Sequence, residues 1–314
     1  MNAGGERNAK CKSITSNCKA EARVAESACE WFQPLLVETG SRELLRRLKE
    51  RKQKTMFPIG DDNSDRTSFP LVNYILIAAN VLVFVLFQGL GSNDRFTYAW
   101  STVPAEITSG RDIDRPVMIT SPTGEAIGRI DLEPTPGSVY LTLLTSMFMH
   151  GGLAHLFGNM LYLWIFGDNL EDRMGKVKYL IFYLLCGLIA SLAHVFTTMT
   201  FGANPYVPSL GASGAISGVL GGYLLLYPTR GVNVIMFRFM VRTVPAYVAI
   251  GLWFVFQLVN GLGMLGQGSQ EGGGVAYAAH IGGFIAGVAL VKLFASGRDR
   301  NFNSPQMWQG NRAG

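Results

Sequence analysis

Six apolar runs separated by polar turns dominate the chain after residue 70, and this pattern restricts the fold more than any other feature. They extend from Leu71 to Leu90, Gly152 to Gly167, Tyr179 to Phe201, Ser213 to Tyr227, Val244 to Leu262 and Tyr277 to Ala295. About 20 helical residues, rising 1.5 Å each, cross a hydrocarbon core. An unpaired backbone group in lipid costs several kcal/mol, so such runs must be helices. Only 16% of the residues are charged, against about 25% in soluble chains. Glycine, which membrane helices use freely, occurs 37 times. These figures exclude a disordered, collagen-like or disulfide-built chain. Cys11, Cys18 and Cys29 lack metal-ligand spacing, and Cys186 lies in an apolar run. The expected fold is an all-α polytopic membrane protein with six spans and a long first outer loop.

Lys and Arg give the orientation. Thirteen of the 27 precede the first run. Arg173, Lys176 and Lys178, then Arg230, Arg238 and Arg242, then Lys292, Arg298 and Arg300 fall in later segments on the same side. The opposite side holds Arg95, Arg111, Arg115 and Arg129, outnumbered by seven acids in the same loop, and its other two loops contain no basic residue. Both termini are therefore expected in the cytoplasm, and the bacterial inner membrane is the expected location. The net charge of +5 is accounted for by topology, with no nucleic-acid partner implied.

This divides the chain into a cytoplasmic segment 1–70, a membrane core 71–296 and a polar cytoplasmic tail 297–314. Residues 1–55 differ in composition from the rest of the chain, and Met56 is the expected biological start, with 1–55 an upstream extension. Residues 41–54 form a short basic helix in this reading, with Leu44, Leu45 and Leu48 on one side; it is either solvated or laid on anionic lipid. The first 68 residues hold no apolar stretch of signal-peptide type. In the first outer loop, alternation from Pro116 to Leu132 around Ser121-Pro122-Thr123-Gly124 predicts a hairpin. The Gly263 to Gly274 loop is glycine-rich and reads as flexible.

Polar groups inside spans are expensive, and each is a functional candidate. Span four opens Gly211-Ala212-Ser213-Gly214. Glycines at a loop-to-helix junction let a substrate backbone approach, and the Ser213 amide at a helix start can donate to developing negative charge. Small-residue packing through Gly214, Gly218 and Gly222 explains the same letters. Span six carries His280, with Ala279, Gly283 and Gly287 as a second small ridge. Ser213 lies about 25 Å above Arg230 and His280 about 27 Å above Arg298 at helical rise, so the two match in depth. In span two, His155 and Asn159 share a helix face and can both donate to an oxyanion. His150 and His155 are poorly spaced for one metal, and no Cys or carboxylate completes a site, so zinc is not expected. His194 reads as a packing residue. Asp168 lies about 20 Å from His155 along its helix, and Glu271 sits in the flexible loop. A Ser-His dyad without a carboxylate, its imidazole oriented by packing, is expected.

Gly-Ala-Ser-Gly at 211–214, Ala-His-x-Gly-Gly at 279–283 and His-x4-His-x3-Asn at 150–159 together resemble the rhomboid family of intramembrane serine proteases. The likeness covers roughly Met56 to Ala295, including Val103-Pro104-Ala105-Glu106 and Tyr227-Pro228. It implies Ser213 as nucleophile, His280 as general base and later acid, and an oxyanion hole from His155, Asn159 and the Ser213 amide. His150, Gly211 and Gly214 would support the site, and Glu171 and Arg173 would tie span two to its cytoplasmic neighbours. The implied activity is cleavage of transmembrane protein substrates within the lipid bilayer, without metal, ATP or other cofactor. The Gly263 to Gly274 loop would act as a lid. Some members carry an aromatic residue one turn after the serine, packed on the histidine; Ser217 stands there, which leaves the support of His280 open. A catalytically silent rhomboid-like client-binding protein would lack the Ser or the His. A transporter would show internal symmetry, and none is visible. Sequence alone leaves oligomeric state and natural substrate open.

Overall fold

The computed structural model describes residues 57–120, 126–201, 204–236, 240–267 and 277–295. The chain divides into Met1–Lys54 and Thr55–Gly314, and the described residues all belong to the second unit. Residues 1–55, the basic stretch at 41–54 and the tail 297–314 lie outside them.

Strand β1 (Phe57–Asp61) leads into helix α1 (Leu71–Leu82), which continues as one π turn over Val83–Phe87. The outer loop holds α2 (Asp94–Ala99), α3 (Pro104–Ser109), the hairpin β2 (Val117–Thr120) and β3 (Ala126–Ile130), and a short apolar helix α4 (Val139–Phe148). Then come α5 (Leu153–Met174), α6 (Lys176–Phe201), α7 (Ser213–Leu226), β4 (Gly231–Met236), β5 (Met240–Pro245), α8 (Ala246–Gln267) and α9 (Tyr277–Ala295). The six apolar runs all become helices. Helices α6 and α9 are each long and apolar enough to cross a bilayer alone, while α7 is a shorter apolar helix. Large apolar side chains such as Leu86, Phe157, Phe196, Val259 and Leu293 point outward. An exposed apolar belt of this kind suits lipid rather than water.

The expectation of an all-α chain needs correction, because two small sheets flank the helices. β2 and β3 pair antiparallel, as the alternation predicts, with an irregularity between Ile119 and Thr120; the turn at 121–125 lies outside the described residues. The second sheet is unforeseen. Its order is β1-β4-β5, with Phe57 opposite Ile235 and Val232 opposite Val244. Val232 and Val234 are fully buried and join the main core. The Gly263 to Gly274 expectation is also corrected in part: α8 runs through Gln267, so the first residues of that stretch are helical and the remainder lies outside the described residues.

Helices α7 and α9 meet backbone to backbone. A Cβ on Gly283 would overlap the Gly214 carbonyl, and one on Gly287 would overlap the Gly218 carbonyl. Glycine at both positions permits this approach. Association in lipid depends on such close packing, since apolar burial gives no advantage there. On the α7 side the ridge continues through Gly221, which faces the Phe284 carbonyl, whereas Gly222 faces Leu170, Phe182 and Val291.

At the opposite end of α5, carboxylates cap α1. Glu171 accepts from the amides of Val72 and Asn73 at 3.0 and 2.7 Å. Asp172 accepts from the amide and hydroxyl of Ser68 at 2.8 and 2.7 Å, and from Thr67. The first amides of a helix have no internal partner and favour negative charge. Pro70, at the N-cap, offers no side-chain acceptor, so α5 provides it.

Candidate active site

Ser213 is the first residue of α7. The chain reaches it through Gly211, whose φ of +122° lies where residues with a side chain are strained, and whose amide donates to the Ser146 carbonyl at 2.8 Å. A Cβ on Gly211 would also press on the His155 ring, 2.9 Å from Nε2. Gly214 is hemmed in by Ala190. The glycines thus shape the turn and the packing together.

His280 lies in the first turn of α9, and its Nε2 stands 2.8 Å from Ser213 Oγ. The matching depth read from sequence corresponds to a direct contact. The other ring nitrogen, Nδ1, is 2.8 Å from Gln257 Oε1. Gln257 belongs to α8 and is only 5% exposed. Trp253, one turn earlier, sets its ring 6.0 Å from that of His280, and Tyr277 meets it edge-on. Ser217 turns away and donates to the Ser213 carbonyl at 2.6 Å. The ring is therefore met from α8 by an amide and an indole, so the packing expected in place of a carboxylate is joined by a hydrogen bond to Gln257. Sequence reasoning missed both residues, although a glutamine within an apolar run is a signal by the same rule that singled out the histidines.

On α5, His155 Nδ1 accepts from the Gly151 amide at 3.3 Å. A neutral imidazole with an accepting Nδ1 carries its hydrogen on Nε2, so His155 presents a donor beside Gly211 and Ser213. Asn159 Nδ2 donates back to the His155 carbonyl at 2.9 Å, and its amide has a second N–H. His150 is 1% exposed, with its ring 5.2 Å from that of His155. Neither of its ring nitrogens has a hydrogen-bond partner among the described residues. Its backbone is clasped by Gln88, which accepts from His150 N and donates to His150 O, both at 2.9 Å.

Ser213, His280, His155, Asn159, Trp253 and His194 border one cavity of about 1160 Å³. His194, read from sequence as a packing residue, stands in this wall. The lining contains no Asp, Glu, Lys or Arg among the described residues. Asp168 is elsewhere, paired with Arg66, and Glu171 caps α1. Glu271 lies outside the described residues.

A hydroxyl hydrogen-bonded to an imidazole, with nearby N–H donors, in a cavity between apolar helices, defines a serine-hydrolase type of constellation. Residues 137–297 match the Rhomboid domain family. The chain belongs to the rhomboid family, and it is an integral membrane protein. It is 34% identical over 145 residues to Rhomboid protease GluP of Bacillus subtilis, covering 46% of this chain and 24% of that one. It is 29% identical over 172 residues to Rhomboid protein 1, mitochondrial, of Saccharomyces cerevisiae, covering 54% and 47%. With RHOMBOID-like protein 4 of Arabidopsis thaliana it shares 29% over 238 residues, covering 72% and 52%. The matches thus span between about a quarter and a half of these relatives' own length.

Proposed function

We propose that this chain is an intramembrane serine endopeptidase that hydrolyses peptide bonds in or near transmembrane segments of other membrane proteins. The observation that carries this reading is the 2.8 Å contact of His280 Nε2 with Ser213 Oγ at the wall of the cavity. His280 takes the Ser213 proton as Oγ attacks the substrate carbonyl, then delivers it to the leaving amine. Water, activated by the same imidazole, releases the acyl group. The oxyanion is met by the Ser213 amide, His155 Nε2–H and the second N–H of Asn159. A substrate helix reaches the cavity from lipid past α8 and unwinds locally. The six apolar helices α1, α5, α6, α7, α8 and α9 serve as the six spans in this reading. Both termini face the cytoplasm of a bacterial cell whose inner membrane holds the protein.

The full chain in liposomes with a transmembrane test substrate provides the experiment. Ser213→Ala and His280→Ala each abolish cleavage while inserting normally, and a fluorophosphonate labels the parent chain but not Ser213→Ala. Cleavage that survives Ser213→Ala would refute the nucleophile assignment. An inserted parent chain that neither labels nor cleaves would instead support a catalytically silent client-binding role.

A further inference from the structure

Neither helix that carries the Ser213–His280 pair supplies the partner of His280 Nδ1. That partner is Gln257 of α8, at 2.8 Å and almost wholly buried. We propose that Gln257 is a positioning residue that fixes the tautomer of His280 from a third helix, α8. This inference rests on the reading of Ser213 as nucleophile.

A neutral imidazole carries one N–H. With the Gln257 oxygen accepting at Nδ1, the hydrogen resides there and the Nε2 lone pair faces Ser213 Oγ. This is the tautomer a general base requires. When Nε2 takes the serine proton, both ring nitrogens donate, and the amide oxygen holds the imidazolium in place during the reaction. Glutamine does this as a dipole, adding no charge to the cavity. The groups facing His280 are Ser213 from α7, Trp253 and Gln257 from α8, Tyr277 from its own helix, and His155 and His194 from the walls formed by α5 and α6. No carboxylate on that lining competes for Nδ1 among the described residues.

The location of Gln257 matters as much as its chemistry. Helix α8 rests on α9 through the stacked rings of Phe254 and Phe284, 4.0 Å apart, and through Gly261 against Tyr277 and Ile281. Its Leu252, Val255, Phe256, Val259 and Leu262 are exposed. Gln257 and Trp253 therefore reach His280 only through this docking of α8 on α9.

The test uses the full chain in liposomes, with cleavage kinetics and fluorophosphonate labelling measured from acid to alkaline pH. Gln257→Leu lowers kcat and the labelling rate about 10- to 100-fold, with KM changed by less than about twofold. Gln257→Glu retains turnover, but its activity on acidification is lost about one pH unit earlier, because a carboxylate beside the ring holds a proton on it. Unchanged kcat in Gln257→Leu, or an acid limb unmoved in Gln257→Glu, overturns the inference. If Gln257→Leu does not fold, the Gln257→Glu profile decides alone. Full cleavage by Ser213→Ala removes the underlying reading as well; loss of cleavage there with indifferent Gln257 variants removes only the role of Gln257.

Discussion

In the proposed reading, the Gly151 amide gives His155 the opposite tautomer from the one Gln257 gives His280. One ring is then set to donate and the other to accept, which is the division of labour that acyl transfer at Ser213 would need. Asn159→Ala removes one of the three proposed oxyanion donors, and kcat for a transmembrane test substrate is expected to fall about 10²–10³-fold, the usual effect of one such donor. Measured activity equal to that of the parent chain would take Asn159 out of the oxyanion hole. Ser213, His280, His155 and Asn159 are legible in the sequence because each lies in a short local pattern with a chemical reason for its spacing. Gln257 is marked only as a costly polar group in an apolar run and Trp253 not at all, because the partners of both depend on how α8 docks against α9, and no local spacing encodes that. His194 illustrates the same limit: a lone histidine in an apolar helix gives no hint of which wall it faces.

Among elements, the α7–α9 contact and the β1-β4-β5 sheet are contrasting cases. The small ridges at Gly214, Gly218, Ala279, Gly283 and Gly287 predict a close crossing, and the backbones do approach until a single methyl group would collide. Gly287→Ala therefore lowers stability by about 1–3 kcal/mol or more through overpacking, read as an earlier thermal unfolding midpoint in detergent. Gly251→Ala in α8, where a Cβ meets nothing within 4 Å, leaves that midpoint unchanged or raises it. The sheet is harder to read. Val232 and Val234 alternate as a half-buried strand should, but arginines nearby suggest an ordinary cytoplasmic turn. Its third strand, β1, lies more than a hundred residues earlier in the chain, and pairing at that separation leaves no trace in a local window.

Across the molecule, Asp61 joins the sheet to two helices of the site. Its Oδ2 accepts from Tyr223 of α7 at 2.5 Å and from Asn169 of α5 at 2.8 Å. Burial pushes the Asp61 carboxyl up to about 7, with the Asp168 charge adding to the rise and Tyr223, Arg230 and Asn169 opposing it. A raised value means that the folded chain holds this proton more tightly than the unfolded one. Stability from this group is thus greatest below about pH 4 and is lost as pH rises through 7. The unfolding midpoint of the parent chain falls between pH 5 and 8, and Asp61→Asn flattens that slope. Equal slopes in the two proteins would exclude Asp61 as the cause. Sequence places Asp61 in a polar lead before the first span and gives no sign that the fold buries it.

The π turn at Val83–Phe87 has a different kind of consequence. One wider turn inserts a residue into the helical count, and the residue immediately after it, Gln88, is wholly buried. The extra residue is taken up inside the wider turn, so deleting one residue there returns it to ordinary α winding with Gln88 still facing inward. Adding one residue within Leu71–Leu82 instead turns Gln88 by about 100°. The backbone of His150 then loses both its bonds to Gln88, and the neighbouring Gly151 loses the platform from which it reaches His155. A one-residue lengthening of α1, distant in sequence from Ser213, is therefore expected to damage the site more than a one-residue shortening of the π turn.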